Sequence, residues 1–141
     1  LATFYGLGGL AYSRSARRML ERWGEPGLAR VGGLCTALAF GGVALAPGWQ
    51  WVAPACLLAG FGFYALHNTL QTHATQMLPQ ARGTAMSLFA CCLFLGQSVG
   101  VSVAAWTVDR YGTQVVFAAA GAGLLLLGFA FAQLIGRQAH P

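Results

Sequence analysis

The chain has 141 residues, of which 57% are hydrophobic and 8% charged, and its formal net charge is +5. Soluble domains carry about 25% charged residues, so this composition excludes an ordinary water-exposed globule and favours an integral membrane protein. The basic side chains are all arginines and lie beside long uncharged runs. This arrangement favours contact with lipid headgroups at a cytoplasmic face over binding of nucleic acid.

Residues 1–13 form the first predicted element, a partial transmembrane helix. The run from Leu1 to Tyr12 is apolar and rich in glycine. As a helix it would be about 18 Å long, which is too short to cross about 30 Å of hydrocarbon. We therefore expect it to be the end of a truncated helix, in a fragment of a longer chain.

Residues 14–27 form an arginine-rich segment, which we predict to be a cytoplasmic loop. One arginine at the centre of a bilayer costs about 3 kcal/mol, so a cluster of them must stay in water or among headgroups. Within this segment we expect a short surface helix from Ser15 to Trp23. Gly24 would end that helix, and Pro26 would lie in the first turn of the next one.

Four long runs, uncharged apart from Arg30, predict full transmembrane helices over 28–46, 51–75, 83–108 and 114–136. The first two are joined at Pro47 and Gly48, next to two tryptophans suited to a membrane interface. Counting arginines along this path puts all but Arg110 on one side of the membrane: Arg14, Arg17, Arg18, Arg22, Arg30, Arg82 and Arg137. The positive-inside rule then makes the arginine-rich segment and the C-terminus cytoplasmic.

The second full helix carries a polar stripe near its cytoplasmic end. At about 100° per residue, its members fall within an arc of about 140°. They are Tyr64, His67, Asn68, Gln71, Thr72 and Thr75. A polar stripe in a membrane helix must face protein or water, so these side chains either line a solvated substrate cavity or form hydrogen bonds between helices. His67 either carries a coupled proton or is a neutral, hydrogen-bonded packing residue.

The remaining candidate residues have packing roles. Gly96 and Gly100, with Ser98 and Ser102 on a neighbouring face, predict close helix contacts in 83–108. Four cysteines lie in apolar runs without zinc-ligand spacing, and we interpret them as small packing residues: Cys35, Cys56, Cys91 and Cys92. The sequence therefore predicts neither a metal site nor a cofactor, and no catalytic residues.

Three segments resemble the major facilitator superfamily. Residues 9–18 (GLAYSRSARR) are similar to its cytoplasmic motif Gly-x-x-x-Asp-Arg-x-Gly-Arg-Arg between helices eight and nine. Residues 78–87 resemble the stretch leading into helix eleven, and residues 109–112 the turn after it. Ser13 replaces the motif's aspartate and Ala16 its second glycine, so a charge-relay role for that acid is not carried over.

The resemblance implies an all-α membrane fold, the C-terminal part of a twelve-helix bundle from the end of helix eight through helix twelve. The branch resembled is that of drug:proton antiporters and arabinose-efflux permeases. In that fold the helix of the polar stripe lines the central cavity, and Arg14, Arg17 and Arg18 would brace a cytoplasmic gate.

The implied function is proton-coupled efflux of a small organic molecule across a bacterial inner membrane by alternating access. Its partners would be the substrate, protons, the lipid bilayer and an N-terminal half of the same chain. A non-transporting membrane sensor on the same fold and an integral-membrane enzyme are the alternatives.

Overall fold

The structure is a computed structural model that describes residues 1–138. Its helices are α1 (Ala2–Ala44), α2 (Val52–Met77), α3 (Arg82–Tyr111) and α4 (Thr113–Gln138). Short 3₁₀ turns precede α2 at Trp49–Trp51 and α3 at Pro79–Ala81. Each long helix has the length and apolar composition needed to cross a membrane. The predicted all-helical class is confirmed.

Helix α1 is bent at Gly24, where φ is 65° and ψ is −176°. This combination of a positive φ with an extended ψ is open almost only to glycine, because a Cβ atom would clash with the backbone. The bend divides α1 into a first arm, residues 2–23, and a second arm, residues 25–44. Pro26 lies just inside the second arm, where its missing N–H costs nothing.

The first arm differs from the sequence prediction because it runs without a break into the arginine-rich segment. The predicted boundary between a membrane helix ending near residue 13 and a separate surface helix is absent, whereas the predicted helix from Ser15 to Trp23 and its end at Gly24 are present. The hydroxyl of Ser13 donates to the Leu10 carbonyl at 2.9 Å, and that of Ser15 donates to the Ala11 carbonyl at 2.8 Å. Both serines therefore satisfy their hydroxyls within the helix and do not end it.

Replacing Gly24 with alanine tests the bend. Alanine should not tolerate this conformation, so we expect Gly24→Ala to destabilise the protein by about 1–3 kcal/mol. The measurement is thermal unfolding in detergent. Gly41→Ala is the matched control, because Gly41 lies inside the second arm and an added Cβ there meets no atom within 4 Å. Equal stability of the two variants would contradict the assigned bend.

Both arms of α1 pack closely on α2, and the second arm also packs on α4. A Cβ atom built on Gly8 of the first arm would lie 2.7 Å from the Phe61 nitrogen of α2. On Gly62 it would lie 2.7 Å from the Thr36 nitrogen of the second arm. These crossings bring helix backbones into direct contact, as small residues allow in membrane helix bundles.

Helix α3 lies at the edge of this bundle. Ala85, near its start, is its one buried residue. Large apolar side chains along the rest of α3 are exposed, among them Leu88, Phe94, Leu95, Val99 and Val101. The α2 side chains that contact α3 therefore meet its first few turns.

Candidate functional site

The polar stripe of α2 is divided between two neighbours, and one part of it faces α3. The His67 ring stacks on Phe63 of its own helix, with 5.2 Å between centroids and an interplanar angle of 9°. It also lies 5.6 Å from the ring of Phe89 on α3. One turn further along, the Gln71 side-chain amide donates to the Met86 sulfur at 3.6 Å. His67 and Gln71 thus both contact α3.

The other part of the stripe faces the bend of α1. Asn68 and Thr72 line a cavity of about 80 Å³ together with Tyr12 and Glu25. This volume suits a few water molecules but is below the 300 Å³ or more of typical small-molecule sites. The cavity can therefore hold water beside the bend, but it is too small to hold an organic substrate by itself.

The two remaining stripe residues make separate contacts. Tyr64 lies against the first arm, where its ring would be 2.5 Å from a Cβ atom added to Gly9. The Thr75 hydroxyl donates to the Thr72 carbonyl of its own helix at 2.8 Å. The six predicted residues thus lie along one length of α2, but they do not converge on one cavity.

A contact between Glu25 and His73 was missed by the sequence analysis. The Nδ1 atom of His73 lies 3.8 Å from a carboxylate oxygen of Glu25, and the His73 ring packs edge-on against Phe131 of α4 at 5.5 Å. Sequence spacing gives no signal for this pair, because the two residues are 48 positions apart in the chain. Together they connect the second arm, α2 and α4 at one end of the bundle.

An apolar groove of about 520 Å³ lies between the end of α2 and the start of α3. Its lining residues are Ala74, Met77, Leu78, Ala85, Leu88, Phe89 and Cys92. The volume falls within the range of drug-sized ligand sites. Phe89 contacts both this groove and His67, so the groove adjoins the polar stripe.

The predicted gate arginines lie on the first arm, all with exposed side chains. Arg17 forms an ion pair of 2.9 Å with Glu21, one helical turn further on. Exposed pairs of this kind contribute about 0.3–0.5 kcal/mol, so this one adds little to stability. Arg14 and Arg18 have no ion pair within the described residues.

The residues predicted to pack α3 do not touch the other helices of the described chain. A Cβ atom added to Gly96 or Gly100 meets nothing within 4 Å. Ser98 and Ser102 donate to carbonyls of α3 itself, at 2.9 and 3.0 Å. All four residues are exposed in the described chain. Residues 1–138 contain no cluster of three potential metal-ligating side chains.

The comparison with protein families covers the whole sequence. The family profile described as Major Facilitator Superfamily matches residues 1–141. The chain belongs to the major facilitator superfamily. This superfamily is a family of membrane transporters, and the four long apolar helices agree with part of its fold. As a member of the major facilitator superfamily, the chain is a multi-pass membrane protein. Neither a curated protein nor a solved structure matches it significantly.

Proposed function

We propose that this chain takes part in secondary active transport of a small organic molecule, by proton-coupled efflux through alternating access. The observation that carries the proposal is the orientation of the polar stripe in a member of a transporter family. His67 and Gln71 face α3, and Asn68 and Thr72 face α1. Polar side chains at membrane depth that face neighbouring helices are typical of substrate and ion pathways.

In this proposal the substrate lies beside the contact between α2 and α3. The apolar groove would accept the body of an organic molecule, and His67 and Gln71 at its margin would supply hydrogen bonds. Tyr64, Asn68, Thr72 and Thr75 would extend the polar wall along α2. Such a site, mostly apolar with a few polar groups, is the usual form of small-molecule pockets.

The other half of the cavity would come from a preceding six-helix bundle of the same chain. The exposed face of α3, with Gly96, Gly100, Ser98 and Ser102, would pack on that bundle and slide against it between the two access states. Arg14, Arg17 and Arg18 would close the cytoplasmic side. We propose a bacterial inner membrane location, with the arginine-rich end of the bundle in the cytoplasm.

A flux assay tests the proposal. Inverted membrane vesicles containing the full-length protein would be energised with a proton gradient and given fluorescent organic cations such as ethidium. We expect gradient-dependent accumulation. His67→Ala or Gln71→Ala should slow it by about tenfold, the effect of losing one half-buried hydrogen-bonding group.

Gln76→Ala is the matched control, because Gln76 lies on the same helix with an exposed side chain. Its flux should equal that of the unchanged protein. Flux that is unaffected by His67→Ala and by Gln71→Ala would remove both residues from the substrate path. A well-folded protein that moves none of the tested compounds would favour the sensor alternative.

A further inference from the structure

The ends of α1 and α4 that carry Arg30 and Arg137 form a basic cleft. The cleft is lined by Arg30 of the second arm and by Ala132, Gln133, Gly136 and Arg137 of α4. Its volume is about 540 Å³, and both arginine side chains are exposed. The transport proposal does not use it, because the polar stripe and the apolar groove involve other surfaces.

The geometry of the two helices explains why the cleft exists. Deeper in the bundle, their backbones touch where Gly33 faces Gly128, and a Cβ atom on Gly128 would lie 2.8 Å from the Ala29 carbonyl. Ala132, one turn closer to the basic end, is fully buried. Arg30 and Arg137 line the opening next to Ala132.

Neither arginine of the cleft is neutralised by an acidic side chain. The chain has three acidic residues, Glu21, Glu25 and Asp109. Among the described residues, Glu21 forms an ion pair with Arg17, Glu25 lies 3.8 Å from His73, and no carboxylate lies within 4.0 Å of Arg30 or Arg137. The cleft therefore presents two positive charges and the Gln133 amide to whatever enters it. This is the chemistry that binds a phosphate group.

The surroundings of the cleft are suited to a lipid. Helix α4 has 26 residues and would be about 39 Å long, so its last turn reaches the headgroup layer beyond about 30 Å of hydrocarbon. Exposed leucines lie on the same helix faces as the arginines. On α1, Leu34 and Leu38 follow Arg30, with 46% and 59% of their surface exposed. On α4, Leu126 and Leu134 precede Arg137, with 71% and 61% exposed. Such rows can contact acyl chains directly below a headgroup.

We propose that this cleft binds the phosphate of an anionic phospholipid from the leaflet at the basic end of the bundle. An anionic lipid brings net negative charge to the two arginines, whereas a zwitterionic lipid adds a positive ammonium. Basic pockets between membrane helices on the cytoplasmic side are known to suit anionic headgroups. The proposal depends on the membrane location but not on the transported substrate.

Native mass spectrometry of the full-length protein in detergent tests this site, with phosphatidylglycerol and phosphatidylethanolamine as the lipids. We expect phosphatidylglycerol to bind more tightly. Arg30→Gln combined with Arg137→Gln should weaken phosphatidylglycerol binding by about thirtyfold, since each arginine near a membrane surface contributes about a fivefold effect. Arg30→Lys with Arg137→Lys should retain most of the binding.

The control removes two positive charges outside the cleft. Arg82→Gln combined with Arg110→Gln should leave phosphatidylglycerol binding unchanged, because Arg82 starts α3 and Arg110 lies 5.0 Å from the centre of the Trp106 ring. An equal loss in this control would overturn the proposal. Equal binding of the two lipids to the unchanged protein would also overturn the proposal. This comparison does not depend on any variant folding correctly. Displacement of the lipid by millimolar inorganic phosphate would identify a soluble anion as the ligand and would also overturn it.

Discussion

Gly128→Leu is expected to destabilise the bundle strongly. A Cβ atom at this position would lie 2.8 Å from the Ala29 carbonyl and 2.9 Å from the Gly33 Cα atom. Both neighbours are backbone atoms of the second arm, so they cannot move aside as a flexible side chain could. Forcing a larger side chain into such a contact costs about 1–3 kcal/mol or more, and here it separates α4 from α1.

The measurement is the fraction of monodisperse protein after heating in detergent, followed by size-exclusion chromatography. Gly123→Leu is the matched control on the same helix, since Gly123 is exposed and an added Cβ there meets no atom within 4 Å. We expect the control to elute like the unchanged protein. If Gly128→Leu were as stable as Gly123→Leu, the contact between α1 and α4 would be assigned incorrectly.

The sequence predicted the helical class because charge is so unevenly distributed along it. Uncharged runs as long as these can only be membrane helices, and the turn at Pro47 and Gly48 separates two of them. The observed α2, α3 and α4 begin and end within a few residues of the predicted ranges. The helix from Ser15 to Trp23 was expected, but its continuity with the apolar residues before it was not, because the cost of arginine in a bilayer suggested a break near residue 13.

Which small residues make close contacts could not be predicted from spacing. Gly96 and Gly100 have the spacing of a helix-packing pair, yet they touch nothing in the described chain. Gly33 and Gly128 make the close contact instead. A small residue permits close approach, but which helix approaches it depends on how the whole bundle packs.

The helices that the polar stripe contacts could not be predicted from spacing either. Its helical periodicity placed His67 and Asn68 on one side of α2, but not the helix that each of them meets. The bend at Gly24 brings Glu25 beside His73 and closes the small cavity at Asn68. That bend depends on one glycine conformation, which sequence periodicity does not reveal.

Site-directed labelling tests the membrane arrangement, on which the whole account depends. In a cysteine-free background, Gly48→Cys and Gly83→Cys would each be treated with a membrane-impermeant maleimide. Both positions are exposed, and an added Cβ at either one meets no atom within 4 Å. Gly48 also has an extended φ of −168°, which any residue can adopt.

The two positions lie at opposite ends of α2, and the distribution of arginines predicts that position 83 is on the cytoplasmic side. In intact cells from which any outer membrane has been removed, we expect complete labelling at position 48 and none at position 83. Position 83 should react only after the membrane is opened. Labelling of position 83 in intact cells, or protection of position 48, would contradict the arrangement.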